Sequence, residues 1–194
     1  MPRRSYDHYC AASRALDVIG DRWSLLVVRE LLSGPRRYSD LFADLPGIST
    51  DVLATRLKDL ERDGILTRHR IGPRATSAYE LTVDGAALRP VLDALSAWGT
   101  PALGERRPTD AVRAHWLALP LGRAIGEQID KGTVTVRIGE TVFHVVVDGA
   151  EITHQDGPAP GPAIDLVLDL ATANAVANGT LALADAGPDA QWSS

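Results

Sequence analysis

Apolar residues recur at helical spacing through the first half of the chain and alternate with polar ones through much of the second. That pattern predicts a helical unit followed by a sheet-rich one. Ala12, Ala15, Leu16 and Ile19 form a first helical stripe, ended at Gly20. Asp21 stands as the cap of a second helix, which carries Trp23, Leu26, Val27, Val28 and Leu31 and stops at Ser33-Gly34-Pro35. Ser39 is expected to cap a short helix holding Leu41, Phe42 and Leu45, closed by Pro46-Gly47. Ser49 then caps a longer helix running to Asp63 and stopped by Gly64. A short helix, a glycine turn and a second capped helix follow the order of a helix-turn-helix.

Two strands, residues 65–71 and 77–81, flank the loop Gly72-Pro73-Arg74-Ala75-Thr76 and predict a basic hairpin, or wing. Thr82 caps a last helix with Leu88, Val91, Leu92, Leu95 and Trp98 on one stripe, in which Pro90 predicts a kink or a late start. Residues 99–110, rich in Gly, Pro and charge, read as a linker. Beyond it, residues 111–125 predict one or two helices with Pro120 near the break. Strands follow at 133–138, 141–147, 150–154 and 164–170, with Asp148-Gly149 as a hairpin turn and a short helix over 171–178. This second half reads as an antiparallel meander with one apolar face. The fold class is therefore α+β: a winged helix-turn-helix domain over residues 1–104, then an α+β antiparallel-sheet domain over 105–194.

Charge sharpens the division. The chain of 194 residues carries a net charge of -5, but residues 1–107 hold 16 Lys and Arg against 14 Asp and Glu, and the remainder 4 against 11. Only the first half suits a polyanion. No apolar core follows Arg3 and Arg4, which excludes a signal peptide, and no stretch is apolar enough to span a membrane. The lone Cys10 excludes an internal disulfide framework and fits a reducing, cytoplasmic compartment.

In the capped helix after Ser49, Leu53, Leu57 and Leu60 point to the core, leaving Thr50, Asp51, Ala54, Thr55 and Lys58 outward with Arg56 at the edge. Short hydrogen-bonding side chains on the first two turns let a helix lie deep in a major groove. The alternative is a solvated surface face. Arg68, Arg70 and Arg74, with His69, concentrate charge on the hairpin, and Arg36 and Arg37 precede the short helix as candidate phosphate clamps. The Leu88, Leu92, Leu95 and Trp98 stripe needs an apolar partner, either a second subunit or the chain's own first helix.

From Cys10 to Trp98 the chain resembles the HxlR family of MarR-like winged-helix regulators. The resemblance is carried by Ala15-Leu16-Asp17-Val18-Ile19-Gly20-Asp21-Arg22-Trp23, Gly34-Pro35-Arg36-Arg37-Tyr38-Ser39-Asp40-Leu41 and Pro46-Gly47-Ile48-Ser49. It continues through Leu53, Leu57, Leu60-Glu61-Arg62-Asp63-Gly64, Tyr79-Glu80-Leu81-Thr82, Gly85 and Trp98. It implies a homodimeric regulator, repression being the commoner mode, that reads a two-fold operator in double-stranded DNA and dimerises through its N-terminal and last helices. It also implies a thiol sensor at Cys10, against which stands an inert cysteine.

Residues 134–139, 143–149 and Asn178-Gly179-Thr180-Leu181 resemble, more loosely, a sterol-carrier-protein-like domain. That implies an apolar cavity and a hydrophobic small-molecule effector. The chain departs from that pattern by stopping soon after residues 182–186, which leaves closure of the cavity open. A packing appendage without ligand is the alternative.

His115, His144 and His154 lack Cys or carboxylate neighbours at ligand spacing, and no phosphate loop, Ser-His-Asp set or carboxylate pair stands out. No metal, cofactor or catalytic residue is expected, and the chain does not read as an enzyme. The competing function is a small-molecule carrier or divergent enzyme whose winged helix serves only dimerisation.

Overall fold

Glycines and prolines punctuate the first half where the pattern placed them. A computed structural model describes residues 5–71, 76–104, 107–187 and 190–193. The chain divides into two compact units, Met1–Leu92 and Asp93–Ser194. The first contains α1 (Ala11–Ile19), α2 (Ser24–Leu31), β1 (Arg36–Arg37), α3 (Tyr38–Asp44), α4 (Thr50–Arg62), β2 (Leu66–Ile71), β3 (Thr76–Leu81) and α5 (Val83–Ala86). The unit boundary falls inside α6 (Arg89–Gly99).

Helix α2 packs against α3, α4 and β3, burying Val27, Val28 and Leu31 with Leu41, Leu53, Leu57 and Leu60. The small sheet runs β1-β3-β2, all antiparallel, so the hairpin carries a third strand that the apolar pattern did not announce. Only two residues pair there, Arg36 with Tyr79 and Arg37 with Ala78. This is a winged helix-turn-helix. Pro90 lies in the first turn of α6, where a missing N–H costs nothing, and the late start replaces a kink.

Two caps differ from the expectation. Asp21 does not cap α2; its carboxylate pairs with Arg56 while its carbonyl accepts from Ser24 N at 3.0 Å. Helix α3 begins at Tyr38, ahead of Ser39, because the Asp40 carboxylate reaches back to accept from Arg37 N at 3.2 Å.

The second unit adds α7 (Ala118–Gly126), β4 (Lys131–Ile138), β5 (Thr141–Asp148), β6 (Glu151–Asp156), β7 (Ile164–Leu168), α8 (Leu170–Ala177) and β8 (Ala190–Ser193). Pro120 sits in the first turn of α7 behind a 3-10 turn over Ala114–Leu117. The five strands are ordered β6-β5-β4-β7-β8. The expected antiparallel meander therefore needs correction: β4 to β6 form one, but β7 lies parallel to β4 on its far side.

The crossing is made by a strap, residues 157–163, laid over the sheet. There Thr135 and His144, cross-strand partners, turn their polar atoms to the strap backbone. Ala159 N donates to Thr135 Oγ1 at 3.1 Å, and His144 Nδ1 donates to the Gly157 carbonyl at 3.1 Å. These bonds explain how an imidazole only 6% exposed and a threonine 4% exposed are accommodated. The opposite face packs Val134, Val136, Phe143, Val145, Leu166 and Leu168 with Leu121 and Ile125 of α7 and Ala173 and Val176 of α8. At Gly126 a Cβ would come within 2.5 Å of Ile152 Cδ1, so any side chain there would make the Ile152 end shift where α7 lies against β6.

Candidate nucleic-acid interface

Helix α4 owes its start to Ser49, whose hydroxyl accepts from Val52 N at 3.3 Å. A second tie holds the same end: the Tyr38 hydroxyl donates to the Thr50 carbonyl at 2.9 Å, joining α3 to the entry of α4. Tyr38 in turn stacks on Phe42, with centroids 6.5 Å apart and planes 6° from parallel. Composition offered no sign of this brace, because a tyrosine ahead of a helix has many uses.

Leu53, Leu57 and Leu60 are buried. Asp51, Thr55 and Lys58 follow at i, i+4 and i+7 on the opposite stripe, and with Ser49, Thr50 and Ala54 they are exposed. The Thr55 hydroxyl donates to the Asp51 carbonyl at 2.7 Å. Among the described residues neither the Asp51 carboxylate nor the Lys58 ammonium has a bonded partner.

Arg56 is otherwise placed. Its guanidinium pairs with Asp21 and, at 2.9 Å, with Asp59, and its side chain is only 18% exposed. Arg36 is similarly engaged, donating from Nε to the Glu30 carbonyl at 2.8 Å and pairing with Asp44 at 3.5 Å. Both arginines therefore tie α4 and β1 into their own unit, and of the two arginines expected as a clamp at that end Arg37 is the exposed one.

On the wing, Arg68 and Arg70 alternate on one face of β2. Arg68 lies over the Tyr79 ring at 5.8 Å and donates to Ser77 Oγ, while Arg70 is exposed with no carboxylate partner among the described residues. Arg74 lies outside the described residues.

The wing's base is held by Thr82. Its hydroxyl donates to the Gly64 carbonyl at 2.6 Å and accepts from Gly85 N at 3.1 Å, capping α5.

These residues lie within a stretch with known relatives. The HxlR-like helix-turn-helix family model matches residues 18–107. The HTH-type transcriptional regulator YvaP of Bacillus subtilis is 41% identical over 88 residues, 45% of this chain and 82% of that protein. The chain belongs to the HxlR-like helix-turn-helix family. A second relative, the HTH-type transcriptional regulator sll1512 of Synechocystis, is 41% identical over 96 residues, 48% of this chain and 70% of its own. The crystal structure of quinone-bound YodB from B. subtilis is 33% identical, covering 46% of this chain and 96% of that one with a TM-score of 0.41. This HxlR-like chain is a DNA-binding transcriptional regulator of the helix-turn-helix type.

Three other features bear on partners and ligands. Leu88, just ahead of α6, is half-buried, and on α6 Leu92 is buried within the chain, whereas Leu95 is 47% and Trp98 80% exposed. Cys10 is exposed ahead of α1 and closes no cap bond, yet the Ser13 and then the Ala12 amides favour the thiolate and hold its pKa below the usual thiol value. In the second unit an open groove of about 310 Å³ lies beside β7 and β8, lined by Ile129, Ile164, Leu183, Ala190 and Trp192 with Gln128. Among the described residues no helix is long and apolar enough to cross a membrane.

Proposed function

We propose that the chain is a cytoplasmic, homodimeric repressor that binds a two-fold operator through α4 and the wing. Residues 1–104 form the DNA-binding and dimerisation domain, and residues 105–194 a sterol-carrier-protein-like domain that takes a hydrophobic effector. The observation that carries this reading is the exposed α4 stripe of Asp51, Thr55 and Lys58, whose carboxylate and ammonium are unpaired among the described residues, beside a wing strand bearing Arg70.

One recognition helix contacts too few base pairs for specificity, and a two-fold dimer sets two helices about 34 Å apart along the duplex. The exposed Leu95 and Trp98 of α6 supply apolar area for that association. The open groove beside β7 and β8 is the place we assign to the effector, its volume falling at the small end of the usual ~300–1,000 Å³ for ligand sites. Coupling requires the effector to bind one spacing of the two helices better than the other.

Lys58→Ala and Arg70→Ala test the reading by fluorescence anisotropy on duplex DNA over a salt series. Each variant is expected to flatten the slope of log K against log salt by about 0.9 for every phosphate that a subunit no longer neutralises. Slopes equal to wild type in both variants would leave the helix and wing as dimerisation elements only.

A further inference from the structure

The outward stripe of α4 is unusual in what it lacks. Its first two turns present Thr50, Asp51, Ala54 and Thr55, and the one arginine in reach, Arg56, is held by Asp21 and Asp59. Among the described residues no guanidinium or side-chain amide is therefore available on those turns to grip guanine O6 and N7 or adenine N6 and N7 in bidentate fashion.

What remains on those turns is the Asp51 acceptor and the Thr50 hydroxyl beside methyl groups, with the Lys58 ammonium one turn further on. The Asp51 carboxylate, acceptor-only when ionised, has no donor among the described residues. The Thr55 hydroxyl is already donated to the Asp51 carbonyl at 2.7 Å, which leaves its oxygen as a further acceptor and its γ-methyl for apolar contact. Ala54 offers only a methyl. The Tyr38 bond to the Thr50 carbonyl and the Ser49 cap hold this end of the helix to one geometry.

In the major groove guanine offers two acceptors that a carboxylate repels and adenine sets a repelling N7 beside its N6 amine, whereas cytosine offers its N4 amine without such an acceptor and thymine its C5-methyl. We propose that Asp51 is the specificity-determining residue of α4, accepting a hydrogen bond from a cytosine N4 amine while Ala54 and Thr55 lie against neighbouring thymine methyls. The half-site is then a pyrimidine run on one strand. The proposal rests on the DNA-binding reading above and gives that reading its chemistry. The bland role for Asp51, a negative charge complementing the N-terminal helix dipole, affects stability and leaves base preference untouched.

The full chain is used to enrich duplexes from a random pool, in wild type and in D51A and D51N. Wild type is expected to enrich one cytosine per half-site beside thymines. D51A should lose about tenfold of the preference at that position, keep the others, and bind bulk duplex more tightly through the lost repulsion. D51N, able to donate as well as accept, should move the preference toward adenine. Replacing thymine by deoxyuridine in the enriched duplex should weaken wild-type binding several-fold.

A cytosine preference that survives D51A, or a wild-type preference for guanine at that place, overturns the assignment while leaving the regulator reading intact. Enrichment of no sequence by wild type overturns both. Unchanged thermal melting of the variants separates lost reading from lost folding.

Discussion

Replacing Gly85 by alanine sets two effects of opposite sign against each other. Gly85 lies in the single turn of α5, and helix propensity alone favours alanine by about 1 kcal/mol. A Cβ at this position, however, would sit well inside van der Waals contact of the Ile65 carbonyl oxygen, 3.0 Å from its carbon and 3.1 Å from Leu81 Cδ2. The obstacle is backbone, and it cannot rotate away. Overpacking of this kind costs about 1–3 kcal/mol.

The displaced carbonyl also accepts from Thr82 N at 3.0 Å and Thr82 Oγ1 at 3.2 Å. Weakening both bonds adds about 0.5–1.5 kcal/mol each. With the propensity gain subtracted, the first unit should lose about 3 kcal/mol. At a urea m-value of about 1.5 kcal/mol/M the unfolding midpoint falls by about 2 M. Pulsed hydrogen exchange read on peptides covering residues 64–86 reports this unit separately from the second. Ala86→Gly, at an exposed position of the same turn, controls for propensity and should cost no more than about 1 kcal/mol. A midpoint for Gly85→Ala that equals or exceeds wild type would refute the close approach of α5 to Ile65.

Three further outcomes are expected. Because first-turn amides hold the Cys10 thiol below its usual pKa, the pH midpoint for its alkylation should lie below that of the denatured chain; coincident midpoints would show an ordinary thiol. Asp169 caps α8, and the Thr172 hydroxyl, then the Thr172 amide, hold its carboxyl below the ordinary range. A depressed folded pKa stabilises above the unfolded value and is lost as pH falls through the folded one. The melting difference between wild type and Asp169→Ala should thus persist at neutral pH and close below about pH 4; a difference independent of pH would contradict it. Finally, Leu95→Glu with Trp98→Glu should shift the chain from dimer to monomer in sedimentation while its circular dichroism is unchanged, and a dimer that survives would place the interface elsewhere.

The local features of the fold were legible because they are written in neighbouring residues. Ser49 with Gly47 before it, and Gly64 after Asp63, mark both ends of α4 without any help from tertiary structure. The residues that escaped depend on distant partners. Arg56 looks like a groove-edge cation until Asp21, far upstream, is brought to its guanidinium. Strand β1 is two residues long and exists only because Tyr79 and Ala78 pass beside it. Alternation of Ile164, Leu166 and Leu168 tells which face each residue takes but not which strand lies alongside, so the parallel register with β4 was invisible. Gly85 stood out as part of a resemblance, and the Ile65 carbonyl supplies its physical reason. The brace from Tyr38 to Thr50 had no sequence signal at all.

The strap over Thr135 and His144 bears on how the larger sheet fails. Strands β4, β5 and β6 are joined by tight turns and form from near neighbours, whereas β7 reaches β4 only after residues 157–163 have been carried across. Until then β4 is a border strand with a row of unsatisfied amides and carbonyls along a valine-rich ribbon. Anything that loosens the strap, a cut between its prolines included, turns an interior strand into a template for another chain's β-structure. The weak point of this half against clumping is therefore a loop, and its hydrophobic core would give no warning.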